Sequence, residues 1–436
     1  SQQLADLAVR IKQLATEFGF ADCGITSTHN EAAGQRLNQW LDLGYQANMD
    51  YMGKHGTMRY RAEELMPGTQ RIICLRMDYL DPNLTTLSSL ENGQQAYIAR
   101  YALGRDYHKL VRKRLAQLSK AIEALIGPFG HRLFVDSAPV LEKPLAQKAG
   151  LGWQGKHTLI INRKQGSWFV LGEIFVDLPL PIDPPYDKDH CSRCESCITV
   201  CPTNAFPQPY VLDANRCIAY LTIEHKGSIA KELRPLMGNR VFGCDDCQLA
   251  CPWNRAASAT QEDDFKPRHG LDQAQLADLL TWTETEFLKR TEGSPIRRVG
   301  FEGWQRNLAI GLGTCITYNF TNKYHEFLGG SISPGMNMRF RAMHEQTALL
   351  PLIEAQNQFP LVGYDTKTNL LSGVILGMAK EIDGIIEAYA EKYSNFNVLL
   401  TGGDMPYFVP HLKNRIFADP NLIFKGLYAI SEFNNG

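Results

Sequence analysis

The chain has 436 residues, which at roughly 100 to 200 residues per domain predicts two to four domains with room for several buried cores. A hydrophobic fraction of 44% and a charged fraction of 21% exclude a largely disordered chain. With 45 Lys plus Arg against 46 Asp plus Glu, any affinity for nucleic acid must come from a local patch. The two longest runs without a charge, Ser196 to Leu212 and Asn307 to Asn322, are shorter than the ~20 apolar residues of a spanning helix, and no basic-then-apolar leader opens the chain, so a cytoplasmic protein with no membrane partner is expected.

Leu4, Leu7, Ala8, Ile11, Leu14, Ala15 and Phe18 follow helical spacing up to a Gly19 stop, predicting an N-terminal helix. Strand-like text follows at ADCGIT (21–26), RIICLRMDY (71–79), HRLFVD (131–136), HTLIIN (157–162) and SWFVLGEIFVD (167–177), so the first ~190 residues read as α+β. No G-x-G-x-x-G follows these strands and no G-x4-G-K-[ST] occurs, so dinucleotide and P-loop readings lack their phosphate cradle.

Three segments in this part look chemical. HGTMRYR (55–61) is a cation-rich loop. RYALGRDYHK (100–109) opens a stretch, Arg100 to Lys120, with seven Lys or Arg and one Asp; Tyr107, Leu110, Val111, Leu115 and Leu118 share the opposite helical face. Such a stretch is either a solvated face or a phosphate-contacting patch. VDSAPVLEKPLAQKAGLGWQGKH places Asp136 where a strand gives way to a helix, a position that a helix cap would also explain.

The cysteines are unevenly placed: of 11, eight fall between Cys191 and Cys251. Cys191, Cys194, Cys197 and Cys201 form a C-x2-C-x2-C-x3-C-P run, the bacterial-ferredoxin spacing, in which three thiolates bind one 4Fe-4S cube and the fourth reaches its neighbour. Cys217, Cys244, Cys247 and Cys251 complete eight thiolates for two cubes. The pairing rule assigns Cys191, Cys194, Cys197 and Cys251 to one cluster, and Cys201, Cys217, Cys244 and Cys247 to the other. Zinc sites rarely interleave a third and fourth Cys at these spacings, each run ending in Pro, and disulfides are disfavoured without a secretory leader. Cys23 and Cys74, in strand-like text, read as small buried hydrophobes. Two adjacent cubes carry electrons singly, so the preceding residues must hold the acceptor.

The cysteine block, VDSAP with the following EKPLAQKAGLGWQGKH, RYALGRDYHK, and RPLMGNRVFGCDDCQLACPWNR (234–255) together resemble the epoxyqueuosine reductases of tRNA queuosine synthesis, from about residue 4 to about residue 310. The resemblance implies reduction of the wobble-position epoxide of tRNA by cobalamin and two 4Fe-4S clusters, with an external electron donor. It places Asp136 at the proton donor, and Arg59, Ala99, Asp136, His157, Ile160 and Leu171 around the corrin. It implies a cobalamin-binding α/β sandwich (1–180), a ferredoxin-like two-cluster domain (181–260) and a helical segment (261–312), acting as a monomer. Deoxygenating an epoxide takes two electrons and two protons to make the leaving oxygen water, and a desolvated carboxyl suited to delivering a proton should have a raised pKa. The nearest approach to the D-x-H-x-x-G cobalt-ligand motif runs from Asp106 to Val111 and lacks the Gly, so cobalamin without a histidine on cobalt is expected. Other readings of the same residues are another corrinoid and iron-sulfur reductase, such as a reductive dehalogenase, and a bare electron carrier, for which ~190 residues ahead of the clusters are too many.

From Gly313 the text changes. GTCITYNF, FLGGSISPGMNMRFRAMHEQTALLPLIE and LLSGVILGMAKEIDGIIEAYAEKY resemble the C-terminal half of type III pantothenate kinase, and no Trp occurs after Trp304. That implies an incomplete actin-like (ASKHA) α/β lobe over 313–436, with Gly313-Thr314 and Thr401-Gly402-Gly403 at nucleotide positions. The first lobe is missing and Gly311 stands where an Asp is expected, so kinase activity is not expected, and an exposed inter-lobe face should make this part fold poorly or associate.

Overall fold

The computed structural model describes residues 2–81, 86–136, 138–312, 315–321, 327–393, 396–402 and 404–419. Four strands, β1 (Asp22–Ser27), β2 (Arg71–Asp78), β3 (His131–Phe134) and β4 (Phe169–Val176), form an antiparallel sheet in the order β1-β2-β4-β3. Helices α1 (Gln2–Glu17) and α2 (Tyr107–Ile126) cover one face, and α3 (Glu142–Lys148) packs on the other. Both faces are thus buried, which is why β2 and β4 read as near-continuous apolar runs without a polar alternation. Ile73, Leu75, Ile174 and Val176 point into the core with α1 and α2; Ile72, Cys74, Leu171 and Phe175 point the other way, toward Leu145 and Ile160. Each fully buried aliphatic side chain contributes about 1.5–3 kcal/mol.

The N-terminal helix and four of the five strand-like segments form as their patterns predict. HTLIIN yields only Ile160–Ile161, paired with Trp153–Gln154, because hydrogen bonds between Gly155 and both Thr158 and Leu159 fold its first half into a tight turn, with Thr158 at φ +68°.

The cysteine-bearing region is built of short helices and turns tied to the sheet domain by a parallel pairing of Tyr97–Ile98 with Arg240–Phe242. A core of Ile98, Leu103, Phe242, Leu276, Trp282 and Trp304 joins that pairing to residues 271–308. The helix Gly300–Leu312 is bolted to it: Arg306 donates to the carbonyls of Leu221, His225 and Gly227, and Asn307 to those of Thr222 and Val241. Residues beyond 315 have a core of their own around Phe340, Leu371, Ile375, Met378, Ile382 and Phe408. It lies under the long helix Thr366–Lys392, which Asp365 and Thr368 cap reciprocally. Among the described residues the strand pairing there is a hairpin, Cys315–Thr321 with Phe327–Pro334, and a two-residue parallel ladder, Leu399–Leu400 with Phe417–Ala418. Gly313, Thr314 and Gly403 of the expected nucleotide loops lie outside the described residues.

Candidate active site

Asp136 follows β3 in the left-handed region, φ +36°, a conformation a non-glycine residue adopts only under constraint. The helix after it, α3, begins at Leu141 without a side-chain cap, so helix capping does not account for Asp136. Its carboxylate Oδ2 lies 3.0 Å from His108 Nε2, and His108 Nδ1 lies 2.7 Å from Asp106 Oδ1. Asp106 is the N-cap of α2 and also accepts the His108 backbone N–H, so the helix start fixes the imidazole. Burial opposes a charge on His108, yet the two carboxylates outweigh it and push the imidazolium up to about 9.

The expectation of a raised Asp136 pKa is corrected here. Burial does act to raise it, but the hydrogen bond and charge of His108, the Tyr107 hydroxyl and the Arg298 guanidinium together hold the carboxyl below its usual range. At neutral pH the mobile proton therefore sits on His108, one hydrogen bond from Asp136. RYALGRDYHK had marked His108 as chemical, but its pairing with Asp136 was not legible in that segment. Both His108 ring nitrogens are occupied by carboxylates.

The other residues named for the corrin are buried. Ile160 and Leu171 share one apolar cluster, with Met58, the neighbour of Arg59, packed on it. Arg59 donates through Nη2 to the Tyr51 carbonyl, and its Nε has no partner. His157 accepts the Leu159 N–H at Nδ1, 3.2 Å, and its Nε2 is buried and unmatched; burial, with Lys143 nearby, pushes its pKa down to about 4, so it is a neutral donor without an acceptor. Ala99 lies against Gly243, where an added Cβ would stand 2.5 Å from the Ala99 Cβ. Orphaned donors over an apolar floor suit a large, partly polar cofactor.

Four thiols, Cys191, Cys194, Cys197 and Cys251, line a small cavity together with Lys156, His157, Ile161, Pro252 and Trp253. Trp153 Nε1 donates to Cys191 Sγ at 3.5 Å. Burial, then the neighbouring thiols of Cys251, Cys191 and Cys194, push Cys197 up to about 11. Cys201, Cys217, Cys244 and Cys247 lie near one another: Cys247 is raised by burial and by the fields of Cys217, Asp245, Cys197 and Cys201, and Cys217 by burial and Cys201. The Ala205 N–H reaches Cys201 Sγ at 3.3 Å, and Cys244 Sγ donates to Asp246 at 2.8 Å. Buried thiols this reluctant to ionise suit a strongly positive iron core, whose charge reverses that preference. Cys23 and Cys74 are buried in the sheet, away from both groups.

Family models match three separate parts of the chain. The model for epoxyqueuosine reductase QueG (DUF1730) matches residues 59–137, that for a 4Fe-4S double cluster binding domain residues 190–254, and that for type III pantothenate kinase residues 300–388. The epoxyqueuosine reductase of Pseudomonas aeruginosa is 60% identical over 309 residues, spanning 71% of this chain and 86% of the relative. The chain belongs to the epoxyqueuosine reductase family. The Escherichia coli K12 epoxyqueuosine reductase is 54% identical over 310 residues, 71% of this chain and 82% of the relative. Among solved structures, an epoxyqueuosine reductase with an epoxyqueuosine-modified tRNA-Tyr stem loop superposes with a TM-score of 0.65 at 26% identity, covering 71% of this chain and 81% of that one. A selenomethionine-labelled epoxyqueuosine reductase, at 22% identity, shares the fold with a TM-score of 0.66 over 94% of this chain and 99% of its own. The resemblance carried by the cysteine block and the VDSAP segment is borne out, and the chain is an oxidoreductase with a 4Fe-4S double-cluster domain.

Proposed function

We propose that the chain reduces epoxyqueuosine at the tRNA wobble position to queuosine, with electrons from an external one-electron donor entering through two 4Fe-4S clusters and Asp136 delivering a proton. Cys191, Cys194, Cys197 and Cys251 hold one cluster; Cys201, Cys217, Cys244 and Cys247 hold the other. Arg59, Ala99, Asp136, His157, Ile160 and Leu171 line the cobalamin pocket. A cobalamin bound there supplies a strong low-valent reductant for C–O cleavage. Residues 1–180, 181–260 and 261–312 act as the cobalamin, cluster and helical units of one cytoplasmic monomer. Among the described residues no helix is long and apolar enough to cross a membrane.

The observation that carries this reading is the wall common to both sites: His157 lines the four-thiol cavity, and its unmatched Nε2 lies three residues before Ile160 of the apolar floor. Asp136 and His108 act on substrate in a defined order. His108 holds the proton, Asp136 orients it, and the proton passes through Asp136 to the departing oxygen. Lys109, Arg112 and Lys113, exposed within two turns of His108, meet the RNA backbone while the modified base is splayed into the pocket.

Anaerobic reconstitution with iron, sulfide and cobalamin, followed by nucleoside mass spectrometry of epoxyqueuosine-tRNA, tests the reading. About eight irons, bound corrin and queuosine product are expected. Asp136→Asn should abolish product with an unchanged cluster and corrin spectrum. Loss of the clusters in that variant would make Asp136 structural, and dehalogenation of an aryl halide without tRNA turnover would favour a small-molecule reductase.

A further inference from the structure

The balanced reaction needs one proton more than Asp136 and His108 hold between them. Both C–O bonds of the epoxide break, a C=C bond forms, two electrons arrive singly through the clusters, and the oxygen leaves as water with two protons. We propose that Glu173, buried in the sheet, and Glu142, half-buried between it and Asp136, are positioning residues that store this second proton and pass it outward through Asp136. The proposal rests on the reading of Asp136 as proton donor and extends it inward.

Glu173 stands in the middle of β4, opposite Cys74 of β2 and Phe134 of β3, on the face it shares with Leu171 and Phe175. It is fully buried, and its carboxyl faces that of Glu142 within hydrogen-bond reach, a contact that requires one of the two to be protonated. An ionised carboxylate in such a place would cost several kcal/mol, so the group is held as the neutral acid. The charge that acts on it most is that of Glu142 on α3, followed by Asp136. Glu142 in turn is joined to Asp136: its Oε1 accepts the Asp136 backbone N–H at 2.5 Å. The same contact secures the left-handed turn that aims Asp136. Burial first, then the Asp136 charge, pushes the Glu142 pKa up. The other groups facing the pair are few. Cys74 lies across the strand as a neutral thiol; Lys143 on α3 acts to ionise Glu142; the Tyr107 hydroxyl feels both Glu142 and Asp136, and His108 bonds to Asp136. The chain thus runs from a solvent-free carboxylic acid, through a second carboxyl, to the half-exposed Asp136.

A merely structural acid would be indifferent to protons, so the test must see them. Infrared spectroscopy of the reconstituted enzyme should show a protonated-carboxyl C=O band at neutral pH that shifts in deuterium oxide and disappears in Glu173→Gln. Single-turnover product formation by the pre-reduced enzyme should be slower in Glu173→Gln by about tenfold above neutral pH. The difference should shrink as the pH falls and bulk protons reload Asp136. Glu173→Asp, which keeps the acid, should restore part of the alkaline rate. Glu142→Gln should give the same pH-dependent defect, with clusters and corrin retained. Absence of the infrared band, or a rate loss uniform across pH, overturns the proton store. Because the band is read without turnover, it is independent of Asp136: a band present together with an active Asp136→Asn would sink the proton-donor reading and leave the buried acid standing.

Discussion

His108 does at the residue scale what burial of Asp136 alone could not: it keeps a proton available at neutral pH beside a carboxylate that remains largely ionised. The sign of its pH dependence follows from its raised pKa. Coupling between the imidazolium and its two carboxylates is fully present below the ordinary histidine value of 6.5 and disappears as the pH climbs through about 9. With one partner, Asp136, half exposed, it contributes on the order of 2 kcal/mol after screening. Chemical denaturation of the reconstituted enzyme should therefore show stability lost between pH ~6.5 and ~9 that His108→Gln lacks. The same variant should lower turnover about 100-fold and erase the alkaline limb near pH 9, whereas an unchanged profile would place the proton elsewhere. The sequence showed that Asp106, Tyr107 and His108 were chemical by type, but not that they meet Asp136, because His108 and Asp136 stand 28 positions apart with most of α2 between them. For Glu173 one local signal existed: a lone acid inside the apolar run SWFVLGEIFVD, where a strand buried on both faces has no solvent to offer it.

At the scale of elements, α2 serves two surfaces. Its apolar stripe of Leu110, Val111, Leu115 and Leu118 is buried as the spacing predicts, and its start carries the active-site histidine. The basic stretch is less uniform than its composition suggested. Arg105 pairs with Asp264 at 3.1 Å, Arg114 with Glu262 at 2.7 Å, and Arg100 lies over the Trp168 ring at 4.6 Å. Those three therefore hold the fold together as well as adding charge. Replacing Lys109, Arg112 and Lys113 with Ala should weaken tRNA binding and reduce the slope of log affinity against log salt by about 2, leaving the cluster spectrum unchanged. An unaltered slope would move the RNA surface off α2. Strand positions were legible because β2 and β4 are long and apolar. The second half of the cluster region was legible only as cysteine spacing, since its turns and short helices take their form from hydrogen bonds such as those of Arg306 and Asn307, donated from a helix some 80 residues along the chain.

Over the whole molecule, the residues proposed to do chemistry lie before the change of text near residue 313. The four-thiol cavity, the second thiol group, the Asp136 surroundings and the helix that bolts the cluster region all end by Leu312. The later residues build a separate core around the helix Thr366–Lys392, to which the earlier cores lend no buried member. That part leaves Leu349, Leu361, Val362 and Tyr364 nearly or largely exposed, with Leu349 at 92%. Single exposed apolar side chains are ordinary, but this many within sixteen positions favour contact with another molecule. A chain ending at Leu312 should therefore take up both clusters and cobalamin, and convert epoxyqueuosine-tRNA within about twofold of the full chain. It should also stay monomeric in sedimentation at concentrations where the full chain associates, because hydrophobic association scales with the apolar area removed from water. Failure of the shortened chain to hold iron would show that the late segment completes the cluster region's core. Equal association of the two chains would place the sticky surface before residue 313.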